Sequence, residues 1–324
     1  CYPALLVIGQ LIDAVKHGGY DPHKVGLLIT QTGGGCRASN YIHLLRKALQ
    51  KAGLAHVPVI SLSMAGLEKH PGFQLTLPLI IKMMYGVLYG DLLMTLVNQC
   101  KPYEVERGSA QALADRWTER LAAELTGGGQ SGYRRILDEF AAIAVERRET
   151  VMVGIVGEIF VKYSPLGNNN LEQFLVDEGA EVVIPGLLDF CLYCVYNNML
   201  DHKLYGMQKC VQPVYKIAFR YLLDKEKDLI DTITAHGRFT PPTLFTRTVE
   251  LVQGTISLGV KMGEGWLLTA EMLELADKGV SNIVCTQPFG CLPNHICGKG
   301  MMKPIKEKNP SVNIVAIDYD AGAT

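Results

Sequence analysis

Residues 24–63 read KVGLLITQTGGGCRASNYIHLLRKALQKAGLAHVPVISLS, and this stretch decides the fold class. Residues 24–30 form a short apolar run that stops at a glycine cluster, the pattern of a buried strand. Residues 40–53 follow with Tyr41, Leu44, Leu45 and Leu49 at helical spacing, and Gly53 supplies a stop. Residues 57–63 are again apolar and predict the next strand. Strand, helix, strand in this order is the β-α-β unit that builds a parallel sheet.

The pattern recurs further along. Residues 151–157 (VMVGIVG) predict a strand, and Asn170 with Gln173 reads as a capping box opening a helix over 171–179. Strands are also expected at 181–186, 282–286 and 312–318. Helical stretches fill 109–148 and 187–280, with a glycine-rich turn at 127–132. A helix from Ala4 to Val15 follows Cys1-Tyr2-Pro3. The expected fold class is α/β: two Rossmann-like parallel-sheet domains with helical insertions. The boundary is placed near residue 150, giving a first domain over 1–150 and a second over 151–324.

The chain has 324 residues, 48% of them hydrophobic and 19% charged, which excludes a disordered chain. Lys and Arg number 31 against 32 Asp and Glu, for a net charge of −1. That balance argues against a nucleic-acid partner and against a polybasic membrane surface. Residues 76–97 are strongly apolar, but Pro78, Lys82, Gly86, Gly90 and Asp91 interrupt them, so a pair of buried helices is expected rather than a membrane span. No signal peptide is visible and no initiator Met is present, which reads as a segment of a longer cytoplasmic polypeptide. In that compartment the nine cysteines are expected as ligands or core residues, not cystines. Cys100 and Cys210 stand alone and are expected in the core, as is the pair Cys191-x-x-Cys194 in its apolar stretch.

The loop after the first strand holds two readings. Gly33, Gly35 and Ala38, with Gly34 between, fit the dinucleotide fingerprint G-x-G-x-x-[GA]. The next strand ends without an acid for the ribose, the nearest being Glu68, so no nucleotide site is assigned. Cys36 offers other chemistry: free backbone N–H groups and a helix N-terminus favour a thiolate or a cluster sulfide, and Arg37 adds positive charge. The plain alternative is a small residue in a tight turn.

Near the C-terminus Cys285, Cys291 and Cys297 are spaced by six. Cys285 ends a strand, and Cys291 lies in a loop with Pro288, Gly290 and Pro293. Loops after parallel strands meet at the carboxyl edge of a sheet, where ligands of α/β proteins bind. Cys36 also follows a strand and Cys1 precedes a helix, so cysteines distant in sequence are expected to converge on one site. Thiolates select zinc or iron–sulfur groups, and the short C-x₂₋₄-C knuckle of a zinc site is missing from this set. His295 is a further ligand or a packing residue. Glu158, directly after its strand, serves acid–base work or hydrogen-bonds a loop. Glu264, between Gly263 and Gly265, is a site acid or part of a turn beside Trp266.

The segments CYPALLVIGQL, QTGGGCRASNY, GEIFVKYSPLGNNNLEQFL, EGAEVVIPG, QPFGCLPNHICGKG and IDYDAG together resemble the 2-hydroxyacyl-CoA dehydratase component family. The nearest branch is that of CoA-substrate-specific enzyme activase and acyl-CoA dehydratase activase-related proteins. The likeness runs from Cys1 to Ala323, and QPFGCLPNHI and GEIFVKYSP are its specific motifs. It implies two Rossmann-like domains with a [4Fe-4S] cluster between them, held by Cys1, Cys36 and Cys291. It also implies a low-potential electron from an activator ATPase, and an acyl-CoA thioester as substrate of a dehydratase or reductase component. Cys285 and Cys297 flank Cys291, and a fourth thiolate would turn a catalytic cluster into an electron carrier. The terminal Asp320-Ala321-Gly322-Ala323-Thr324 fits the D-x-G-x-T phosphate loop of actin-like ATPases but has no following strand. Two other readings compete: a non-catalytic or zinc-holding module that docks an activator ATPase, and a nucleotide-binding oxidoreductase.

Overall fold

The computed structural model describes residues 1–32, 35–62, 73–127, 129, 132–207 and 209–322. The chain is mixed α/β with small parallel sheets. Helix α1 (Tyr2–His17) leads into strand β1 (Leu27–Thr30), a 3₁₀ turn at Arg37–Asn40, helix α2 (Tyr41–Lys51) and strand β2 (Val59–Leu62). β1 and β2 pair in parallel, Leu27 opposite Val59 through Thr30 opposite Leu62, so the β-α-β unit is present as expected. Ile42, Leu45 and Leu49 make the buried stripe of α2 and meet Leu27, Ile29 and Val59 in a small core of their own.

Helices α3 (Leu77–Cys100), α4 (Ser109–Gly127) and α5 (Tyr133–Ala141) precede β3 (Met152–Gly157). Short helices α6 (Ile159–Tyr163), α7 (Pro165–Asn168) and α8 (Leu171–Asp177) lead to β4 (Glu181–Val183). A helical layer follows: α9 (Leu187–Tyr205), α10 (Gln212–His236), α11 (Phe245–Val252) and α12 (Trp266–Asp277). β5 (Asn282–Pro288), a π-turn at Asn294–Gly298, α13 (Met302–Lys308) and β6 (Asn313–Tyr319) close the chain. The second sheet has the order β4-β3-β5-β6, all parallel. Its central strands β3 and β5 are buried almost throughout, which is why they read as continuous apolar runs. The main core crosses residue 150: Leu88, Trp117 and Phe140 pack in one cluster with Leu192, Trp266 and Ile283.

Three local expectations are corrected. Residues 76–97 are one helix, not a pair. Gly86 and Gly90 cost about 1 kcal/mol each against Ala in a helix, and burial of Leu88, Leu92 and Leu96 outweighs this. By length and composition alone α3 is long and apolar enough to cross a membrane, and a third of its most apolar window is buried. Asp91 is the key to its sequence: its carboxylate accepts from Leu187 N at 2.9 Å and Leu188 N at 2.8 Å, capping α9 from another element. The capping box at Asn170 does not form. Asn169 and Asn170 both take left-handed backbone (φ 56°), and Asn168 Oδ1 accepts from Leu171 N instead, at 3.2 Å. Finally Cys210 is exposed, in a 3₁₀ turn at Lys209–Val211, whereas Cys100 is buried and Cys191 and Cys194 are half-buried against the core.

Burial raises the Asp91 carboxyl to about 6, and the two amide bonds and Lys162 pull it back only in part. The native state thus holds a proton that the unfolded chain gives up nearer pH 4. The contribution is complete below the unfolded value and is lost as pH rises through about 6. The unfolding free energy is expected to fall between pH 5 and pH 8 by roughly 1–1.5 kcal/mol from this group. Asp91→Asn should flatten that slope in chemical denaturation.

Candidate metal centre

The carboxyl ends of β1, β3 and β5 feed three loops into one region. The loop after β1 is fixed by a short relay. Ser61 Oγ donates to Gln31 Oε1 at 2.6 Å, Gln31 Nε2 donates to Ser39 O at 2.8 Å, and Ser39 Oγ donates to Cys36 O at 2.7 Å. This holds Cys36, half-buried, at the start of the 3₁₀ turn. Gly35 N donates to Met262 Sδ at 3.2 Å, tying the loop to residues 260–265. Gly33 and Gly34 lie outside the described residues, and Arg37 is exposed.

Residues 260–265 form a hairpin-like turn set by the aromatic core. Tyr193 Oη donates to the carbonyls of Lys261 and Gly263, at 2.9 and 3.0 Å, and Trp266 N donates to Val260 O at 2.7 Å. Gly263 has φ +61°, and a Cβ there would sit 2.9 Å from Pro293 Cγ and 4.0 Å from Cys36 Sγ. A side chain would therefore intrude between the loops that carry Cys36 and Cys291. Cys291 is half-buried, and Asn294 Nδ2 donates to its sulfur at 3.3 Å. Cys1 is exposed at the head of α1, with its sulfur 2.9 Å from Tyr41 Oη.

Tyr41 locates the set. Its phenol is pushed up chiefly by burial, then by Glu158, Cys36, Cys291 and Glu264, so it neighbours all of them while touching Cys1. The sequence assigns Tyr41 only to an apolar helix face, and nothing in its spacing marks it as a site residue. Asn294 was within the quoted motif but had no role.

The two acids are both buried at the edge of the sheet. Gly157 ends β3 at φ +139°, where a Cβ would lie 1.8 Å from Thr286 O; this turn delivers Glu158 into the site. Glu158 Oε2 accepts from Val161 N at 2.9 Å, and Glu264 Oε1 accepts from Ile159 N at 3.1 Å. Each acid braces the start of α6, the hydrogen-bonding alternative raised for Glu158, and each adds to the rise of the Cys36 and Cys291 thiols. Burial, then the neighbouring Glu264 charge, pushes Glu158 up to about 8, and burial also raises Glu264.

The thiols are raised as well. Burial outweighs the Ala38 amide bond at Cys36, with Glu264 and Glu158 adding to the rise, and Cys291 is pushed up to about 11. The expectation of a thiolate stabilised by the turn's amides is thus corrected: burial and two carboxyls overcome them. These cysteines are poor free nucleophiles, and a cationic group is what would ionise them.

Cys285 and Cys297 are both buried. Cys285 faces Glu271 and Asp318, and its thiol is pushed up to about 12, mainly by burial. Cys297 is raised to about 11 by burial and by Glu264, so it alone of the pair shares a carboxyl with the site. His295 is turned toward Cys291 O at 3.0 Å and Asp318 at 3.5 Å, the posture of a loop brace.

Among the described residues, no three His, Cys, Asp or Glu side chains stand close enough to hold one metal ion. A cluster asks for a different arrangement, since each cysteine binds its own iron around a larger body. No protein-family model, no curated protein and no solved structure matches the chain.

Proposed function

We propose that this chain is a cytoplasmic iron–sulfur redox protein related to 2-hydroxyacyl-CoA dehydratase components. Cys1, Cys36 and Cys291 would hold a [4Fe-4S] cluster between the β1–β2 unit and the four-stranded sheet. The observation that carries the reading is Tyr41, whose Oη lies 2.9 Å from the Cys1 sulfur and whose phenol is raised by Cys36 and Cys291 from two other segments. When bound, such a cluster supplies a low-potential electron store and, at an iron without a cysteine, a place for an acyl-CoA thioester oxygen.

The chain's own residues set the terms for that chemistry. Asn294 donates to the Cys291 sulfur, and amide donors of this kind tune cluster potential. Tyr41 orients Cys1. Glu158, raised into the neutral range, keeps a proton that it can donate, the state a general acid requires. Glu264 sits within reach of Ile159 N and holds the same turn. Cys297, of the two flanking cysteines, is the better placed for a fourth ligand, which would close the cluster and leave electron transfer as the role.

An activator ATPase is the partner that would deliver electrons. Anaerobic reconstitution with iron and sulfide tests the reading. A brown protein with about four irons and four sulfides per chain is expected. A colourless protein with no bound iron would sink it.

A second reading has its own observation. Phe289, Leu292 and Ile296, at 65%, 63% and 50% exposure, stand around Cys291. A non-catalytic module, holding zinc or nothing, would use such a rim to dock the ATPase. Zinc bound in place of iron would favour it.

A further inference from the structure

A second polar centre lies away from the cysteines, in a cavity of about 130 Å³ between β4, α3, α9, α10 and α12. Asp91, Glu181, Asp189, Glu226 and Glu274 line it, and Lys278 is the single Lys or Arg among its lining residues. Several of these carboxyls are already held in place. Phe245 N donates to both Glu226 oxygens at 3.1 and 3.2 Å, Thr248 Oγ1 donates to Glu274 Oε2 at 3.2 Å, and Asp91 takes its two α9 amides. Lys278 stands 3.6 Å from Glu274 Oε1 and offsets one of the five acids; Glu181 Oε2 accepts from Tyr103 Oη at 2.5 Å, and Asp189 and Glu226 share a hydrogen bond. Lys162, the other buried cation, is engaged by Glu271 at 2.9 Å.

Asn98 supplies an independent sign. It is 4% exposed, lines the same cavity, and its Oδ1 has no hydrogen-bond partner. A buried acceptor left open costs about 1–3 kcal/mol in general. Asp189 and Glu226, both pushed up by burial, are hydrogen-bonded to each other rather than to Asn98. What fits an open amide oxygen among surplus carboxylates is a positive body that presents hydrogen-bond donors.

We propose that this cavity binds a hydrated divalent cation, Mg²⁺, through Asp189, Glu226, Glu274 and the Asn98 amide oxygen. The donor set is all oxygen, which selects hard cations over zinc or iron. No three carboxylates among the described residues already form a direct cage, so the ion keeps most of its water. That is the habit of Mg²⁺, whereas Ca²⁺ wants six to eight direct oxygens. The volume accommodates an ion with several waters. Its coordinated waters donate to carboxylates and to Asn98 Oδ1, which answers both observations with one ligand. The site would pin α9, α10 and α12 against the end of α3.

The test uses the purified chain, stripped with chelator and exchanged into metal-free buffer. Isothermal calorimetry and thermal unfolding are run with MgCl₂ alone, with CaCl₂ alone, and with NaCl at matched ionic strength. Mg²⁺ is expected to bind with a saturable heat and to raise the unfolding temperature beyond the NaCl arm. Asp189→Asn and Glu274→Gln should each weaken Mg²⁺ binding by roughly 10-fold or more. Without metal the same variants should unfold at or above the wild-type temperature, because each removes a surplus buried charge; this separates loss of a ligand from loss of fold. Asn98→Leu should likewise weaken binding. No saturable Mg²⁺ heat, variants that bind as wild type does, or tight Ca²⁺ binding with none for Mg²⁺ would each overturn the proposal.

Discussion

Cys36→Ser and Cys291→Ser, reconstituted anaerobically, are each expected to lose nearly all cluster iron while keeping wild-type helical circular dichroism. Serine has the size of cysteine but is a poor soft-metal ligand. Both cysteines are half-buried in loops fixed by other contacts: the Ser61–Gln31–Ser39 relay for one, the Pro288–Cys291–His295 turn for the other. The fold therefore does not need the sulfur. Cys1→Ser should also lose iron, with a smaller effect on cluster lifetime, since Cys1 is exposed and its sulfur leans on Tyr41 alone. Cys100→Ser and Cys210→Ser should keep full iron. Cys297→Ser decides the ligand count: lost iron means four thiolates and electron transfer, and retained iron leaves a position open for substrate. Cys285→Ser, whose thiol faces Glu271 and Asp318, should retain iron. If all these variants behave alike, the shared site is wrong and the docking-module reading takes its place. Iron and sulfide analysis with visible absorbance reads every arm.

Lys162→Met is expected to destabilise the chain by about 3–5 kcal/mol. Lys162 is 5% exposed and bonds to Glu271 Oε1 at 2.9 Å, and Glu271 is itself 3% exposed with its other oxygen unpaired. Methionine keeps the apolar stem but strands Glu271 as an uncompensated buried carboxyl. Lys162 also pulls down the rise at Asp91, Glu158 and Glu264, so its loss should push all three further up. The double change Lys162→Met with Glu271→Leu should recover most of the stability, because a packed apolar pair is often as good as a buried ion pair. Urea denaturation measures both: a lower midpoint with an unchanged slope for the single variant, and a midpoint near wild type for the double. A single variant within 1 kcal/mol of wild type would mean that Glu271 is already protonated or solvated.

The strands were legible because parallel strands buried on both faces leave continuous apolar runs, as in Val153–Val156 and Ile283–Thr286. Helix α2 was legible from its periodicity. What failed were features settled at long range. Asp91 looks like a break in an apolar helix until its partners, Leu187 and Leu188, nearly a hundred residues away, are seen. Cys210 stands alone in sequence, between Lys209 and Val211, and sits exposed in a 3₁₀ turn between two helices. At the site, loop position after a strand was enough to nominate Cys36, Cys291 and Glu158, since topology alone sends such loops to one edge. It was not enough for Tyr41, whose significance lies in its contacts, nor for the charge state of the thiols, which depends on burial that spacing does not reveal.

The cysteines come from two separate cores. Cys1 and Cys36 belong to the small β1–β2 unit, with its own buried cluster around Ile42 and Leu45; Cys291 belongs to the sheet packed on α12. Any group that grips Cys36 and Cys291 together is therefore a crosslink that closes a loop of roughly 250 residues. By the chain-entropy relation for such links, it restricts the unfolded ensemble by an amount worth roughly 5 kcal/mol. Damage to the occupant by air would then do more than extinguish redox chemistry. It would release the small unit from the large one, and the protein would become easier to unfold and easier to cut by proteases.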